Sequence, residues 1–139
     1  MGLDFKLKFH TKEVVAAIES TATQRVLEAV NVVRGQALET LSGSRSGRTY
    51  RVPGSRRTYT ASAPGEPPAS RLGELRQSVK IALKTAGRKI IGMVGTALEY
   101  GKVLEFGTRD GRIAPRPWLR ISFEKAQPKV KAIFSRKWF

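Results

Sequence analysis

The sequence has no cysteine, a single histidine and no long apolar run. Without thiols it can form neither disulfides nor thiolate metal sites, and His10 has no second histidine or cysteine with which to share a metal. No run approaches the roughly 20 apolar residues that a membrane span needs. The first ten residues, MGLDFKLKFH, lack the apolar centre of a signal peptide. We therefore expect a protein without metal or cofactor, not secreted and without a membrane partner.

Acidic residues are also scarce, with 11 against 26 lysines and arginines, for a formal charge of +15. The deficit is uneven. Residues 1–44 contain five acids and five bases, so the 21 bases and 6 acids from Arg45 onward carry the whole excess. Such asymmetry favours a polyanionic neighbour, such as nucleic acid, an acidic protein surface or a membrane face. Nucleic acid leads on charge alone, because phosphate contacts dominate non-specific affinity.

The sequence offers no catalytic residue. A Ser-His-Asp triad would need His10 as its base, and no Gly-x-Ser-x-Gly motif supports one. Glu99 and Glu105 are six residues apart, so on one helix they point to different faces and cannot act as an acid/base pair. Zinc-finger spacing, RNA-recognition aromatics and a helix-turn-helix pattern are missing too. We predict neither an enzyme nor a sequence-specific nucleic-acid reader.

The first forty residues contain two different periodicities. Leu3, Phe5, Leu7 and Phe9 alternate with polar residues, which predicts a strand with one buried face. From Thr11 to Leu41 apolar residues recur every three or four positions, which predicts a helix on the order of 45 Å long that ends at Ser42-Gly43. Its predicted apolar stripe contains Val15, Ile18, Ala22, Val26, Ala29 or Val30, Val33, Ala37 and Leu41.

Residues 42–70, the basic arm, break both periods and are rich in Ser, Gly, Pro and Arg. Two similar runs, RTYRV and RRTYTAS, flank Pro53-Gly54, which predicts a β-hairpin. Basic residues interleaved with Tyr50 and Tyr59 fit an arm that binds phosphates and stacks on bases. The alternative is a solvated arm that orders only against a partner protein. The arginines available for DNA or for a partner are Arg45, Arg48, Arg51, Arg56 and Arg57.

The second half of the chain reads as short strands followed by helices. A helical turn at 71–78 precedes two antiparallel strands, 79–84 and 90–96, in which Gly92 and Gly95 allow close approach of another element. A helix over 97–106 ends at Gly107, taken as a left-handed cap. Pro117 opens a last helix, with a kink or break expected near Gln127 because Pro128 follows. We expect Tyr100, Val103, Leu104, Phe106 and Trp118 in the core, with Arg109, Asp110 and Arg112 exposed for a neighbouring subunit.

Four segments in this order resemble a tailed-bacteriophage family, the gene-product-ten-like tail-component proteins related to head–tail joining and tail-completion proteins of long-tailed phages. They are Ala63-Pro64-Gly65-Glu66-Pro67-Pro68, Leu72-Gly73-Glu74-Leu75-Arg76-Gln77-Ser78, Tyr100 with Glu105-Phe106-Gly107-Thr108, and Pro115-Arg116-Pro117-Trp118-Leu119-Arg120. The similarity covers roughly residues 60–125. Leu72 stands where the family usually has Thr or Ser, Trp118 where Phe is commoner, and segment 45–58 is more basic than the family pattern.

The resemblance implies a single α+β domain over residues 1–139, with an antiparallel sheet of three to four strands packed against the long first helix and the last helix. It also implies a structural virion protein at the neck, assembled in the host cytoplasm into a ring, six-fold like the tail. That ring would join connector or head-closure proteins to the tail tube around passing DNA; tail completion, head closure and tail termination stay open. Non-specific nucleic-acid binding is the alternative function. The residues assigned to motif and assembly are Gly65, Pro67, Pro68, Gly73, Leu75, Arg76, Ser78, Tyr100, Glu105, Phe106, Gly107, Thr108, Arg109, Arg112, Pro115, Arg116 and Pro117.

Overall fold

The chain folds as a mixed helical and stranded protein, so the predicted α+β class is confirmed. A computed structural model describes residues 11–63, 65–69 and 73–138. The predicted strand at residues 3–9 and the motif residues Pro64 and Leu72 lie outside these ranges. The elements in chain order are α1 Thr11–Thr40, β1 Thr49–Arg51, β2 Thr58–Thr60, α2 Glu74–Ser78, β3 Lys80–Ala86, β4 Lys89–Gly95, α3 Glu99–Phe106 and α4 Leu119–Ser135.

Helix α1 follows the predicted bounds, but only its second half is buried. The apolar stripe is covered from Ala29 to Leu41, where Ala37 is fully buried. In the first half, Val15 and Ile18 are 46% and 43% exposed although they continue the same stripe. The periodicity therefore identified the correct face of the helix, while the other described elements cover that face along only part of its length.

Strands β3 and β4 form an antiparallel hairpin that runs in register from Lys80 opposite Gly95 to Ala86 opposite Lys89. The expected close approach is confirmed at Gly92, where an added Cβ would lie 2.3 Å from Val30 Cγ1. It is not seen at Gly95, where an added Cβ would meet nothing within 4 Å. Gly92 thus lets β4 lie directly on α1, which places the hairpin against that helix.

The described strands form two separate two-stranded sheets, β1–β2 and β3–β4. The resemblance implied one sheet of three to four strands, and the strand predicted at residues 3–9 lies outside the described residues. The hairpin of the basic arm pairs with itself, and all three β1 residues are exposed.

Helix α4 packs antiparallel to α1 and closes the fold. Buried Ser122 donates to Thr40 Oγ1 at 2.8 Å near one end. Near the other, the Arg25 guanidinium donates to the carbonyls of Ile133 and Lys137, both at 2.8 Å. No break occurs near Gln127, because α4 continues through Pro128. Since Pro128 is exposed, the carbonyl that loses its helical partner there has water within reach.

The core gathers side chains from α1, α2 and the start of α4. Ala37, Leu41, Leu75, Val79 and Trp118 form one buried cluster, against which Leu104 is partly buried. Two of the aromatics predicted for the core are outside it. Tyr100 and Phe106 are 40% and 72% exposed, because α3 has only two turns and its far side has no described element over it.

Candidate functional site

The corner between α3 and α4 is fixed by a carboxylate from one helix that caps the other. Glu105, in the last turn of α3, accepts hydrogen bonds from the main-chain N–H groups of Trp118, Leu119 and Arg120 at 2.7, 2.9 and 3.1 Å. These groups begin α4 and lack partners within the helix. A negative charge at a helix N-terminus also interacts favourably with the helix dipole. Glu105 therefore sets the angle between the two helices.

A buried tryptophan ties the same corner to the sheet and to α2. Trp118 is 1% exposed and donates from Nε1 to the Gly101 carbonyl at 3.0 Å. Gly101 is packed tightly, since an added Cβ would lie 2.6 Å from Thr96 Cγ2 and 3.0 Å from Leu75 Cδ1. An indole is therefore buried with its single donor satisfied, and the close packing of α3 depends on a glycine at position 101.

The turn after α3 depends on a backbone conformation that favours glycine. Gly107 has φ 73° and ψ −175°, so it is not the left-handed cap that was predicted but a more extended form that is almost exclusive to glycine. An added Cβ would lie 2.7 Å from the Ile113 carbonyl oxygen and 3.0 Å from Pro115 Cδ. The main-chain N–H of Arg116 then donates to Leu104 at 2.6 Å. These contacts fold the loop 107–116 back against α3.

The tip of this loop presents charge to solvent on a pre-formed turn. Thr108 binds across the loop, since its N–H donates to Ile113 O at 3.1 Å and its Oγ1 accepts from Ile113 N at 3.0 Å. The Thr108 hydroxyl and the N–H of Arg112 hold the pKa of Asp110 below its ordinary value. Arg112 also pairs with Asp110 at 3.3 Å. The predicted exposed residues Arg109, Asp110 and Arg112 are indeed exposed.

The guanidinium of Arg116 has no hydrogen-bond or ion-pair partner among the described residues. Pro115 and Pro117 flank it, and its residue is half-buried. An unpaired, always-charged group fixed between two prolines is positioned for a neighbouring acidic group or phosphate.

The other motif residues mostly hold the fold together. Gly73, with φ 73°, begins α2, and Leu75 is in the core. Arg76 Nε reaches back to Ser42 Oγ at 3.1 Å, which ties α2 to the end of α1. The Ser78 hydroxyl donates to Leu75 O and bonds Thr96 Oγ1, both at 2.6 Å. These four residues lie at the base of the corner rather than on its exposed loop.

The basic arm contains the predicted hairpin. Tyr50 pairs with Tyr59 across the two strands, and their rings stack with centroids 5.8 Å apart. The Arg48 guanidinium lies 5.5 Å from the centre of the Tyr50 ring. Because the tyrosine faces are partly occupied by each other and by Arg48, the hairpin presents its arginines more freely than its rings.

The base of the hairpin is held by a second carboxylate. Glu66 accepts from the Ser46 hydroxyl and from the main-chain N–H groups of Ser46 at 3.1 Å and Ala63 at 2.9 Å. These hydrogen bonds, with the Ser46 hydroxyl the largest contributor, lower the pKa of Glu66 to about 2. Gly47 lies between the strands' ends, where an added Cβ would be 2.4 Å from the Ala61 carbonyl oxygen.

The arginines of the arm fall into two groups. Arg45 donates to the carbonyls of Thr40, Ser42, Ser44, Pro67 and Pro68 at 2.6 to 3.2 Å. Its guanidinium joins the end of α1 to the Gly65-containing turn and buried Pro68, so it is a structural group. Arg48, Arg51, Arg56 and Arg57 are exposed. These four form the basic hairpin patch, with no acidic residue between Glu39 and Glu66.

An apolar groove of about 1220 Å³ lies between β4 and α4, with α1 as its floor and α3 at one end. Ile91, Met93, Phe106 and Phe123, all on its lining, are 41%, 45%, 72% and 49% exposed. These four side chains give the groove an apolar lining that is open to solvent.

The described residues contain no cluster of acids or histidine that could hold a metal ion, and none of the described helices is long and apolar enough to cross a membrane. Comparison with known proteins gave no match to a family model, to a curated protein or to a solved structure.

Sequence reasoning assigned Glu105 to the corner but missed its capping role, and it missed Glu66 as the residue that organises the hairpin base. Both carboxylates bind residues that are distant in the sequence: Glu105 accepts from groups 13 to 15 residues away, and Glu66 from groups up to 20 residues away. No periodicity links such partners. The only available signal was the scarcity of acids, which makes each one among so many bases a candidate for a specific contact.

Proposed function

We propose that this protein is a structural component of a phage virion, which assembles as a ring at the head–tail interface and joins the tail tube to the connector. The observation that carries the proposal is the corner built from the resembling motif residues. Glu105, Gly107 and Trp118 fix the angle of α3 to α4. A rigid scaffold that presents a charged loop is what a repeated subunit contact requires.

The proposal makes Arg116 part of the contact between subunits. Arg116→Ala should leave a folded monomer, because no described residue accepts a hydrogen bond from its guanidinium, and should weaken ring formation. Native mass spectrometry and negative-stain microscopy of the full chain, with and without co-purifying tails, would measure assembly. Arg88→Ala, an exposed arginine in the β3–β4 turn, is the matched control and should assemble normally.

The possible results of this assembly experiment distinguish a wrong interface from a wrong function. If Arg116→Ala unfolds, Arg116 stabilises the monomer and the interface lies elsewhere. If the wild-type chain stays monomeric at high concentration and never accompanies tails, the ring itself is refuted. Isolated monomers alone would not refute it, since a ring subunit can require its partner for assembly.

A second function, non-specific nucleic-acid binding, is favoured by the basic hairpin patch. Four exposed arginines within ten residues, without an acidic residue between them in the sequence, can make up to four phosphate contacts. Replacing Arg48, Arg51, Arg56 and Arg57 by Ala should reduce the slope of log affinity against log salt by up to about 3.6, at about 0.9 per phosphate contact.

A variant that loses the same charge elsewhere controls this experiment. Lys84, Lys125, Lys129 and Lys131 are exposed on β3 and α4, and their joint replacement by Ala lowers net charge equally. If both quadruple variants lose the same affinity and slope, total charge and not the hairpin governs binding. If the wild type does not bind DNA at low salt, the second function is refuted. Both functions are compatible in a ring whose hairpins line a DNA channel.

A further inference from the structure

The groove between β4 and α4 presents the edge of a strand, and not only a face. Seven consecutive residues, Ile90 to Thr96, line it, and no residue of β3 does. Gly92 faces α1, so by alternation Ile90 and Val94 share that side while Ile91 and Met93 take the other. Residues from both faces of β4 therefore line the same groove. This is possible only if the groove runs along the edge of β4, where its main-chain N–H and C=O groups point away from β3. Among the described residues, β4 pairs with β3 alone.

The floor of the groove continues along α1 beyond the sheet. Val26, Ala29 and Val30 line the groove, and the same stripe runs on to exposed Ile18 and Val15. An unpaired strand edge beside an apolar floor is the arrangement that accepts an additional β-strand, with main-chain hydrogen bonds to the edge and alternate side chains on the floor. A suitable strand would be apolar on one face and polar on the other.

We propose that this groove is a strand-binding site and that its occupant is residues 3–9 of the same chain, LDFKLKF. Leu3, Phe5, Leu7 and Phe9 supply an apolar face for the α1 stripe, while Asp4, Lys6 and Lys8 supply a polar face for solvent. The inference is independent of the proposed ring, because it concerns the completion of a single subunit.

The direction of the chain agrees with this pairing. Gly92, in the middle of β4, lies beside Val26 and Val30 of α1. Gly95, at the end of β4, pairs with Lys80. The neighbouring residue Val79 accepts a hydrogen bond from Arg34, which is further along α1, at 3.0 Å. Strand β4 therefore runs in the same direction as α1. A segment that leads into α1 after a reversal at His10 runs opposite to both, so it would pair antiparallel with β4.

The length of the segment sets how far it reaches. Val26 to Val30 lie about 22–28 Å along α1 from Thr11, and ten extended residues span at most roughly 33–36 Å. The segment would first cover Val15 and Ile18 and then place its earliest residues beside Lys89 to Gly92. The end of the groove next to Phe106 stays open.

A spin label tests the occupant directly, because the chain has no native cysteine. Asp4→Cys on the polar face of the segment, carrying a nitroxide, should remove most of the amide signal intensity of Ile90 to Gly92 in the full chain labelled with ¹⁵N. The amides of Tyr50 and Tyr59, at the opposite end of α1, should keep theirs. Unchanged intensity along β4 would overturn the proposal.

A mixed sample identifies the source of the strand. Spin-labelled chain without ¹⁵N, added to ¹⁵N chain without a label, should leave the β4 signals intact. Broadening in this mixture alone would show that a second copy supplies the strand and would overturn the in-chain occupant. Combined with the label, Phe5→Ser on the apolar face should restore the β4 signals, whereas Lys6→Ser on the polar face should not. Equal restoration by both would also overturn the proposal.

Discussion

Removing the carboxylate of Glu105 should destabilise the protein through a helix to which that residue does not belong. Glu105→Ala deprives the N–H groups of Trp118, Leu119 and Arg120 of their acceptor. Loss of an ordinary helix cap costs about 0.5–2 kcal/mol, and here three charge-assisted bonds are lost, one of them to the N–H of a buried residue. In the variant, water can replace the carboxylate at the main-chain N–H of exposed Arg120, which limits the loss. We expect a loss of about 2 kcal/mol in the free energy of unfolding.

Thermal and urea unfolding of the full chain would measure this loss, with a decrease in melting temperature on the order of 5–10 °C. Glu124→Ala is the matched control: it removes an exposed carboxylate from α4 itself and should stay within about 0.5 kcal/mol of wild type. Glu105→Gln retains one acceptor oxygen and should fall between the two. If Glu105→Ala is no worse than Glu124→Ala, the cap does not stabilise α4 and the geometric argument fails.

Two further predictions concern β4 and the arm. Gly92→Ala inserts a methyl group against Val30 and should cost about 1–3 kcal/mol in urea unfolding, whereas Gly95→Ala on the same strand should be neutral or slightly stabilising; equal effects would contradict the close approach. Because hydrogen bonding lowers the pKa of Glu66 from 4.5 to about 2, its contribution to stability is complete above pH 4.5 and is lost as the pH falls toward 2. The amide signal of Ser46, followed by NMR in the folded protein, should titrate with a midpoint near pH 2 and not near 4.5, and Glu66→Gln should abolish this titration.

Elements with a clear period were predictable from sequence. The spacing of apolar residues located α1, and the alternating run before Gly87-Arg88 and the apolar run after it located β3 and β4 within a few residues. Pro53-Gly54 correctly marked the hairpin turn. In each case the information lies within about ten residues, where local conformation and side-chain direction are coupled.

The exposure of Phe106 shows where such reasoning ends. On α3, Phe106 lies one turn after the half-buried Val103 and on the same side of the helix, yet it is 72% exposed. A period states which side of a helix is apolar, but whether another element covers that side depends on the relative placement of helices. Here the placement is set by Glu105 and Gly107, whose contacts are non-local or depend on an unusual backbone conformation. Neither kind of contact produces a periodic pattern of apolar residues in the sequence.

The net charge of the chain also needs the structure for its interpretation. Counted in the sequence, Arg45 is equivalent to Arg48 or Arg51, and all would be assigned to a polyanion. In the fold, the Arg45 guanidinium donates to five main-chain carbonyls. The guanidinium groups of the hairpin arginines have only a ring contact or no partner among the described residues. A ligand phosphate would have to displace all of the Arg45 contacts but none around Arg51. The surface that can meet a phosphate backbone is therefore the far part of the hairpin, and Glu66, by fixing its base, determines where that surface points.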